Sequence, residues 1–157
     1  MIEVRPIRPG EGHILLATVK ELGKTHAWGP HMKSKAQDFE DALFCTHPII
    51  GALGAFLDGV PAGTALWHRS FSSARGKEVM YLEDLVVLSD FRRRGVAQAL
   101  MKELAKVAVS AGYPTIFWLM MEWNSGARSF YEKLGAEIES NNCYCVLGNQ
   151  ALVDLTK

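Results

Sequence analysis

A strand, a basic turn and a helix follow one another between Tyr81 and Leu104, and this order constrains the fold more than any other part of the sequence. Residues 85–88 form an apolar, partly β-branched run, which predicts a buried strand. A short polar turn with three arginines and one glycine comes next. Apolar residues then recur at helical spacing, which predicts a long helix with one buried face. The members of that apolar stripe are Ala97, Leu100, Met101, Leu104 and Val107.

The turn before this helix has the composition of a phosphate-binding site. The first N–H groups of a helix have no partner within the helix and carry the positive end of its dipole. A turn that points them outward suits a phosphate. Gly95 and Ala97 are small enough for a phosphate to approach the backbone, and the side chains of Arg92, Arg93 and Arg94 add charge. The same short pattern also occurs in ordinary solvated turns, so that alternative stays open.

Strand and helix patterns alternate along the rest of the chain and predict a layered α/β (α+β) domain that includes all residues 1–157. Asp58-Gly59, between two apolar runs, is a hairpin signal. The strand at 78–88, the helix to Ser110 and a central strand at 114–121 predict a parallel strand–helix–strand unit. Other strands are predicted at 2–7, 49–57, 60–69, 136–138 and 144–147, and other helices at 13–22, 35–44 (N-cap Ser34) and 127–134.

Charge and cysteine content argue against several classes of protein. Lys+Arg and Asp+Glu both number 17, whereas a nucleic-acid or anionic-membrane binder would need a basic excess. No apolar run approaches the roughly 18 residues that span a bilayer, and the N-terminus lacks the apolar core of a signal peptide. We therefore expect a cytoplasmic protein. The three cysteines are expected to be free thiols, buried or half-buried.

A loop at residues 24–35 carries His26, Trp28 and His31. Two histidines near a tryptophan would suit a metal or a stacking site, but no third ligand is evident nearby. We therefore expect no metal. We interpret the loop as the cover of a substrate cleft in which His26 and Trp28 contact the substrate.

The motif Arg92-x-x-Gly95-x-Ala97, directly after a strand, resembles the acetyl-CoA pyrophosphate loop of the GNAT superfamily of N-acetyltransferases. Within that superfamily, residues 81–135 resemble the diamine (spermidine/spermine-type) acetyltransferases. The resemblance implies a mixed, mostly antiparallel central sheet with helices on both faces. It also implies a splayed parallel strand pair, with Val87 and Met121 beside the pantetheine arm. The matching segments are YLED at 81–84, SDFR at 89–92, EWN at 122–124 and SFYEKLG at 129–135.

The resemblance also implies the chemistry, which is direct transfer of an acetyl group from acetyl-CoA to a primary amine of a small molecule. Tyr131 would protonate the departing thiolate. Glu83 would poise or deprotonate the amine, and Asp84 would orient its neighbours, because consecutive strand residues point to opposite faces. Coenzyme A would contact Leu85, Val86, Val87, Arg92, Arg93, Arg94, Gly95, Val96, Ala97, Gln98, Asn124, Ala127 and Tyr131.

Several alternatives remain open from the sequence. Tyr131 could simply pack on its helix, and the two acids could be solvated. The segments Lys24-Thr25-His26 and 141–144 lack the acidic residues that diamine acetyltransferases carry there, so the acceptor could be a diamine, an amino acid, a thialysine-like amine or a protein amine. A non-catalytic acyl-CoA sensor and a nucleic-acid binder are further readings. A homodimer is expected from the resemblance.

Overall fold

A computed structural model describes residues 1–140, 143, 145, 147 and 149–156. The chain divides into two compact units, Met1–Leu119 and Met120–Lys157. The first unit contains a five-stranded sheet and three α-helices. Its strands are β1 (Ile2–Pro6), β2 (Ile50–Leu57), β3 (Val60–Ser72), β4 (Lys77–Val87) and β5 (Ile116–Phe117), and its helices are α1 (Gly12–Gly23), α2 (Ala36–Phe44) and α3 (Val96–Ser110).

The sheet has the strand order β1-β2-β3-β4-β5. Its first three pairings are antiparallel, and β4 pairs with β5 in parallel through Met80–Ile116 and Tyr81–Phe117. Asp58 and Gly59 join β2 to β3 with φ angles of 51° and 81°, as a two-residue hairpin turn requires. The predicted mixed, mostly antiparallel sheet with a parallel β4–α3–β5 unit is therefore confirmed.

Helices cover both faces of this sheet, as predicted. The apolar stripe of α3 packs on one face, where Leu100 and Leu104 are fully buried among Leu53, Met80 and other strand residues. The opposite face packs against α1, and α2 adds partly buried residues to the same cluster. Between α1 and β3, the hydroxyl groups of Thr18 and Thr64 lie 2.7 Å apart. Because both hydroxyls are buried, this hydrogen bond fixes how α1 sits on the sheet.

The second unit contains α4 (Ser125–Lys133) and α5 (Asn149–Asp154). Asn124 caps α4, since its side chain accepts a hydrogen bond from the N–H of Ala127 at 3.0 Å. At the other end, Gly135 has a φ of +85°, and the Ala136 N–H donates to the carbonyl of Tyr131 at 3.0 Å. This left-handed cap ends the helix.

Four predictions about local structure were wrong. The apolar run at 114–121 forms a strand only at Ile116–Phe117, at the end of the described sheet, and Phe117 and Leu119 are 39% and 57% exposed. Residues 136–138 belong to no strand, since the cap of α4 uses the Ala136 N–H. Helix α2 is capped by Lys35, whose N–H donates to Asp38, and not by Ser34. The cysteines Cys45, Cys143 and Cys145 are all exposed.

The strand predicted at 144–147 includes Tyr144 and Val146, which lie outside the described residues. None of the helices in the described part of the chain has the length and apolar character that crossing a bilayer requires.

Candidate functional site

The turn between β4 and α3 has a backbone shaped to present helix N–H groups. A 3-10 helical turn at Ser89–Phe91 follows the strand. Arg93 and Gly95 then adopt left-handed conformations with φ angles of 59° and 83°. Helix α3 begins directly after Gly95 and runs for 15 residues, so its first-turn N–H groups lie beside an exposed glycine and exposed arginines. This arrangement is typical of a phosphate-binding helix N-terminus.

The side chain of Arg92 is fixed by hydrogen bonds to two other residues of the chain. Its Nε donates to the carbonyl of Val87 at 3.1 Å, and its Nη2 donates to the carboxylate of Glu21 at 2.9 Å. Glu21 lies at the end of α1 with a side chain only 9% exposed. Lys24, Arg92 and a hydrogen bond from the Ser89 backbone hold the pKa of this carboxyl below its ordinary value, with Lys24 the largest cause. Arg92 therefore links the turn to the end of β4 and to α1.

Glu21 was not among the predicted site residues, although its spacing could have revealed it. It follows Ile14 and Thr18 at intervals of four and three residues, on the buried stripe of α1. An acid on an apolar stripe is expected to have a partner, because burying an unpaired charge is costly.

Replacing Glu21 with glutamine is expected to loosen the turn. The amide would keep the shape but lose the charge-assisted bond to Arg92, so we expect a loss of about 1–3 kcal/mol in the free energy of unfolding and about tenfold weaker binding of a diphosphate ligand at the turn. Chemical denaturation and calorimetric titration would measure the two effects. Glu103→Gln is a matched control, since Glu103 pairs with Lys106 on the surface of α3. Equal binding losses in both variants would contradict this linking role.

Glu83 occupies a β-bulge. Trp67 pairs with Leu82 and Leu66 pairs with Asp84, so Glu83 stands between them without a position opposite on β3 in the described register. A bulge interrupts the alternation of side chains and re-aims the residues beside it. The predicted alternation of Glu83 and Asp84 across opposite faces therefore does not apply in its simple form.

Side chains with rings and charges surround the bulge. Glu83 Oε2 lies 3.7 Å from Nε2 of His68 on β3, and the Glu83 side chain is 54% exposed. The His68 ring lies 4.9 Å from the ring of Tyr81, which meets the edge of Phe117 at the same centroid distance of 4.9 Å. The structure thus brings together one of the predicted acids and an aromatic row that the sequence analysis did not single out.

Asp84 is the more deeply set of the two acids. Desolvation, with a smaller contribution from the charge of Glu83, raises the pKa of Asp84 to about 6, while His26 opposes the shift. His26 itself lies 5.6 Å from Trp28 between ring centroids. The predicted substrate residues His26, Trp28 and Asp84 therefore all lie in the first unit, with His26 and Asp84 close enough to interact electrostatically.

Replacing Asp84 with asparagine is expected to stabilise the protein at neutral pH. Because the folded carboxyl has the higher pKa, the native state binds this proton more tightly than the unfolded chain does. The free energy of unfolding therefore falls as pH rises from about 4 to about 6, by about 3 kcal/mol, and stays low above that range. Asp84→Asn should recover most of this lost free energy of unfolding at about pH 7.5 and should gain no stability near pH 4. Denaturant titrations at both pH values would measure this. A gain of the same size at both would contradict the assignment.

The second unit carries the remaining predicted residues. Tyr131 lies on α4 and is only 8% exposed. Burial raises the pKa of Tyr131 to about 12, so its hydroxyl carries a proton at neutral pH. Asn124 and Ala127 bond to each other at the start of the same helix. A buried, protonated phenol of this kind has the state that a proton donor needs.

The comparison with protein families identifies the family of this chain. Residues 15–136 match the acetyltransferase (GNAT) family. The chain belongs to the GNAT family of acetyltransferases. The predicted family membership and the predicted N-acetyltransferase class are thereby confirmed, and the turn before α3 lies inside the matched region.

Relatives of this GNAT protein include N-acetyltransferases for small amines. The chain is 32% identical over 142 residues to the thialysine N-epsilon-acetyltransferase of Mus musculus, with 85% of this chain and 83% of that protein covered. It is 33% identical over 100 residues to the L-ornithine N5-acetyltransferase of Arabidopsis thaliana, which covers 64% of this chain but only 44% of that protein. An integron cassette protein from V. cholerae has the same fold, with a TM-score of 0.79 at 24% identity over 99% of this chain and 98% of that one.

Proposed function

We propose that this GNAT protein transfers an acetyl group from acetyl-CoA to a primary amine of a small molecule of the size of ornithine or thialysine. The observation that carries the proposal is the turn at the start of α3, where left-handed Arg93 and Gly95 open a helix N-terminus. A diphosphate needs several adjacent donors, and consecutive backbone N–H groups supply them. The names of the relatives support the small amine.

The donor would lie along residues 82–87 of β4. Parallel pairing with β5 stops after Tyr81 and Phe117 in the described part of the chain, so the following backbone groups of β4 lack a strand on that side. The backbone groups of Leu85, Val86 and Val87 would bond the pantetheine arm and polarise the thioester carbonyl. Val96, Ala97 and Gln98 would donate to the pyrophosphate, while Arg93 and Arg94 add charge.

The acceptor would arrive as an ammonium, which has no lone pair and must lose a proton before it can attack. Glu83, at the bulge and half-exposed, would hold the ammonium by charge. Asp84 would add a second, partly protonated carboxyl near His26. After attack, the thiolate of coenzyme A needs a proton, and the buried phenol of Tyr131 would supply it. Water would then restore that proton.

The proposal is tested by incubating the purified protein with acetyl-CoA and one amine at a time, and by measuring free coenzyme A thiol. The panel contains L-ornithine, thialysine, spermidine, an aminoglycoside and a short peptide with a free N-terminus. We expect rapid release with ornithine or thialysine and little with the peptide. A protein that binds acetyl-CoA in a thermal-shift assay but acetylates none of these amines would contradict transfer and favour an acyl-CoA sensor.

Glu83→Gln is expected to lower kcat/KM for the amine by about 10–100-fold, because the neutral amide no longer holds an ammonium. The affinity for acetyl-CoA should stay unchanged. Steady-state kinetics with each substrate varied would separate the two. Glu78→Gln is the matched control, since Glu78 is an exposed acid at the start of the same strand. Unchanged amine kinetics in Glu83→Gln would remove this residue from the acceptor site.

A further inference from the structure

The side chain of His68 approaches that of Glu83. Its Nε2 lies 3.7 Å from Glu83 Oε2, which is longer than a direct hydrogen bond between these atoms. An ammonium nitrogen placed beside both atoms could donate one hydrogen to each. The two side chains come from neighbouring strands whose backbones are paired, so their separation is set by the sheet.

A hydrogen bond fixes which nitrogen of His68 can accept a proton. Nδ1 lies 3.0 Å from the carbonyl oxygen of Arg69. A carbonyl only accepts hydrogen bonds, so Nδ1 carries the hydrogen in this contact. In the neutral ring the lone pair is then on Nε2, the nitrogen that faces Glu83. The ring is also held in orientation by Tyr81, at 4.9 Å between centroids.

We propose that His68 takes the proton from the acceptor ammonium. This inference rests on the proposed function and refines the role of Glu83, which holds the ammonium and then stabilises the imidazolium. An N–H bond of the ammonium breaks, its electron pair stays on the amine nitrogen, and a new N–H bond forms at Nε2 of His68. The free amine then attacks the thioester carbonyl carbon. Because the His68 side chain is 38% exposed, the imidazolium returns its proton to water.

Two features favour His68 over Glu83 as the proton acceptor. An imidazole is about two pK units more basic than an ordinary carboxylate, so it competes better for the proton of an alkylammonium. The imidazolium that forms has a carboxylate at 3.7 Å on one side and the Arg69 carbonyl at 3.0 Å on the other. Along the sheet, Arg69 follows His68 on β3, and Glu83 and Asp84 lie on the paired strand β4. The arrangement therefore stabilises the product of proton transfer.

The test compares two amines that differ in basicity but hardly in shape. Thialysine has a sulfur in place of one methylene of lysine, which withdraws electrons and makes its terminal amine the weaker base. His68→Phe keeps a ring against Tyr81 and removes both nitrogens. We expect its kcat to fall about 100-fold with lysine and several-fold less with thialysine, because a weaker base needs less help to lose its proton.

His68→Gln is the second variant, because its amide oxygen can still accept a hydrogen bond from an ammonium but cannot serve as a base. We expect it to keep the KM for lysine near that of wild type while kcat stays low. The KM for acetyl-CoA should not change in either variant. Thermal unfolding of both variants checks that the sheet remains intact.

Each outcome decides the inference. Equal losses with lysine and thialysine would assign His68 a structural role and overturn the proposal while leaving the proposed function intact. Full activity of His68→Gln with lysine would also overturn it. A wild-type protein that releases coenzyme A with neither of these amines nor with L-ornithine would contradict the proposed function, and this inference with it.

Discussion

Tyr131→Phe is expected to lower kcat by about 100-fold or more with every amine that the protein acetylates. The phenol is 8% exposed, and burial raises its pKa to about 12. Between about pH 6 and 10 it therefore remains a proton donor, and phenylalanine removes only the oxygen. The thiolate of coenzyme A would then leave without a proton. Single-turnover measurement of thiol release at saturating acetyl-CoA would determine the effect.

The control for this variant is another tyrosine of the chain. Tyr113 is half-buried and packs at the edge of the α3 cluster, so Tyr113→Phe should change the thermal stability slightly and leave turnover unchanged. The affinity of Tyr131→Phe for acetyl-CoA should equal that of wild type, which calorimetry would show. If Tyr131→Phe releases thiol at the wild-type rate with all amines, the proton must come from elsewhere.

Gly95→Val is expected to weaken acetyl-CoA binding by about 100-fold. Gly95 has a φ of +83° and precedes the first residue of α3. A β-branched residue strains this conformation by about 1–3 kcal/mol. The turn would relax and tilt the first N–H groups of α3 away from the diphosphate. Each tenfold loss in affinity corresponds to about 1.4 kcal/mol of binding free energy. Calorimetric titration with acetyl-CoA and with coenzyme A would measure it.

The other end of the same helix offers the matched control. Gly112 follows α3 with a φ of +77°, and an added Cβ there would meet no atom within 4 Å. Gly112→Val carries a similar backbone strain, so both variants should lose similar amounts of free energy of unfolding. Only Gly95→Val should lose affinity for acetyl-CoA. Parallel losses of affinity in the two variants would show that general destabilisation, and not the turn, is responsible.

Much of the fold could be predicted from the sequence where the signals are local. Asp58-Gly59 marks a hairpin because both positions need a positive φ, and the apolar stripe of α3 marks the helix that covers one face. The turn between β4 and α3 could also be located, since the succession of strand, arginines, glycine and helix lies within a short segment. One domain, a cytoplasmic location and a homodimer stay predictions.

The details around the acceptor site could not be predicted, because they depend on pairing between distant residues. The bulge at Glu83 arises from how β4 pairs with β3, and simple alternation along one strand cannot reveal it. The same holds for His68, which comes near Glu83 only through that pairing. The apolar composition of residues 114–121 is typical of a central strand, but composition does not determine how many neighbours a strand has.

The carboxylate of Glu21 contacts two segments of the chain that have different proposed functions. It accepts hydrogen bonds from Arg92 in the turn before α3 and from Lys24 at the start of the loop that carries His26 and Trp28. A ligand that fixes the conformation of either segment would thus help to fix that of the other. Such coupling between two binding sites is reciprocal by thermodynamic necessity. We expect acetyl-CoA and the amine to bind with positive synergy that Glu21→Gln abolishes, so that the chain senses both substrates through one shared anchor.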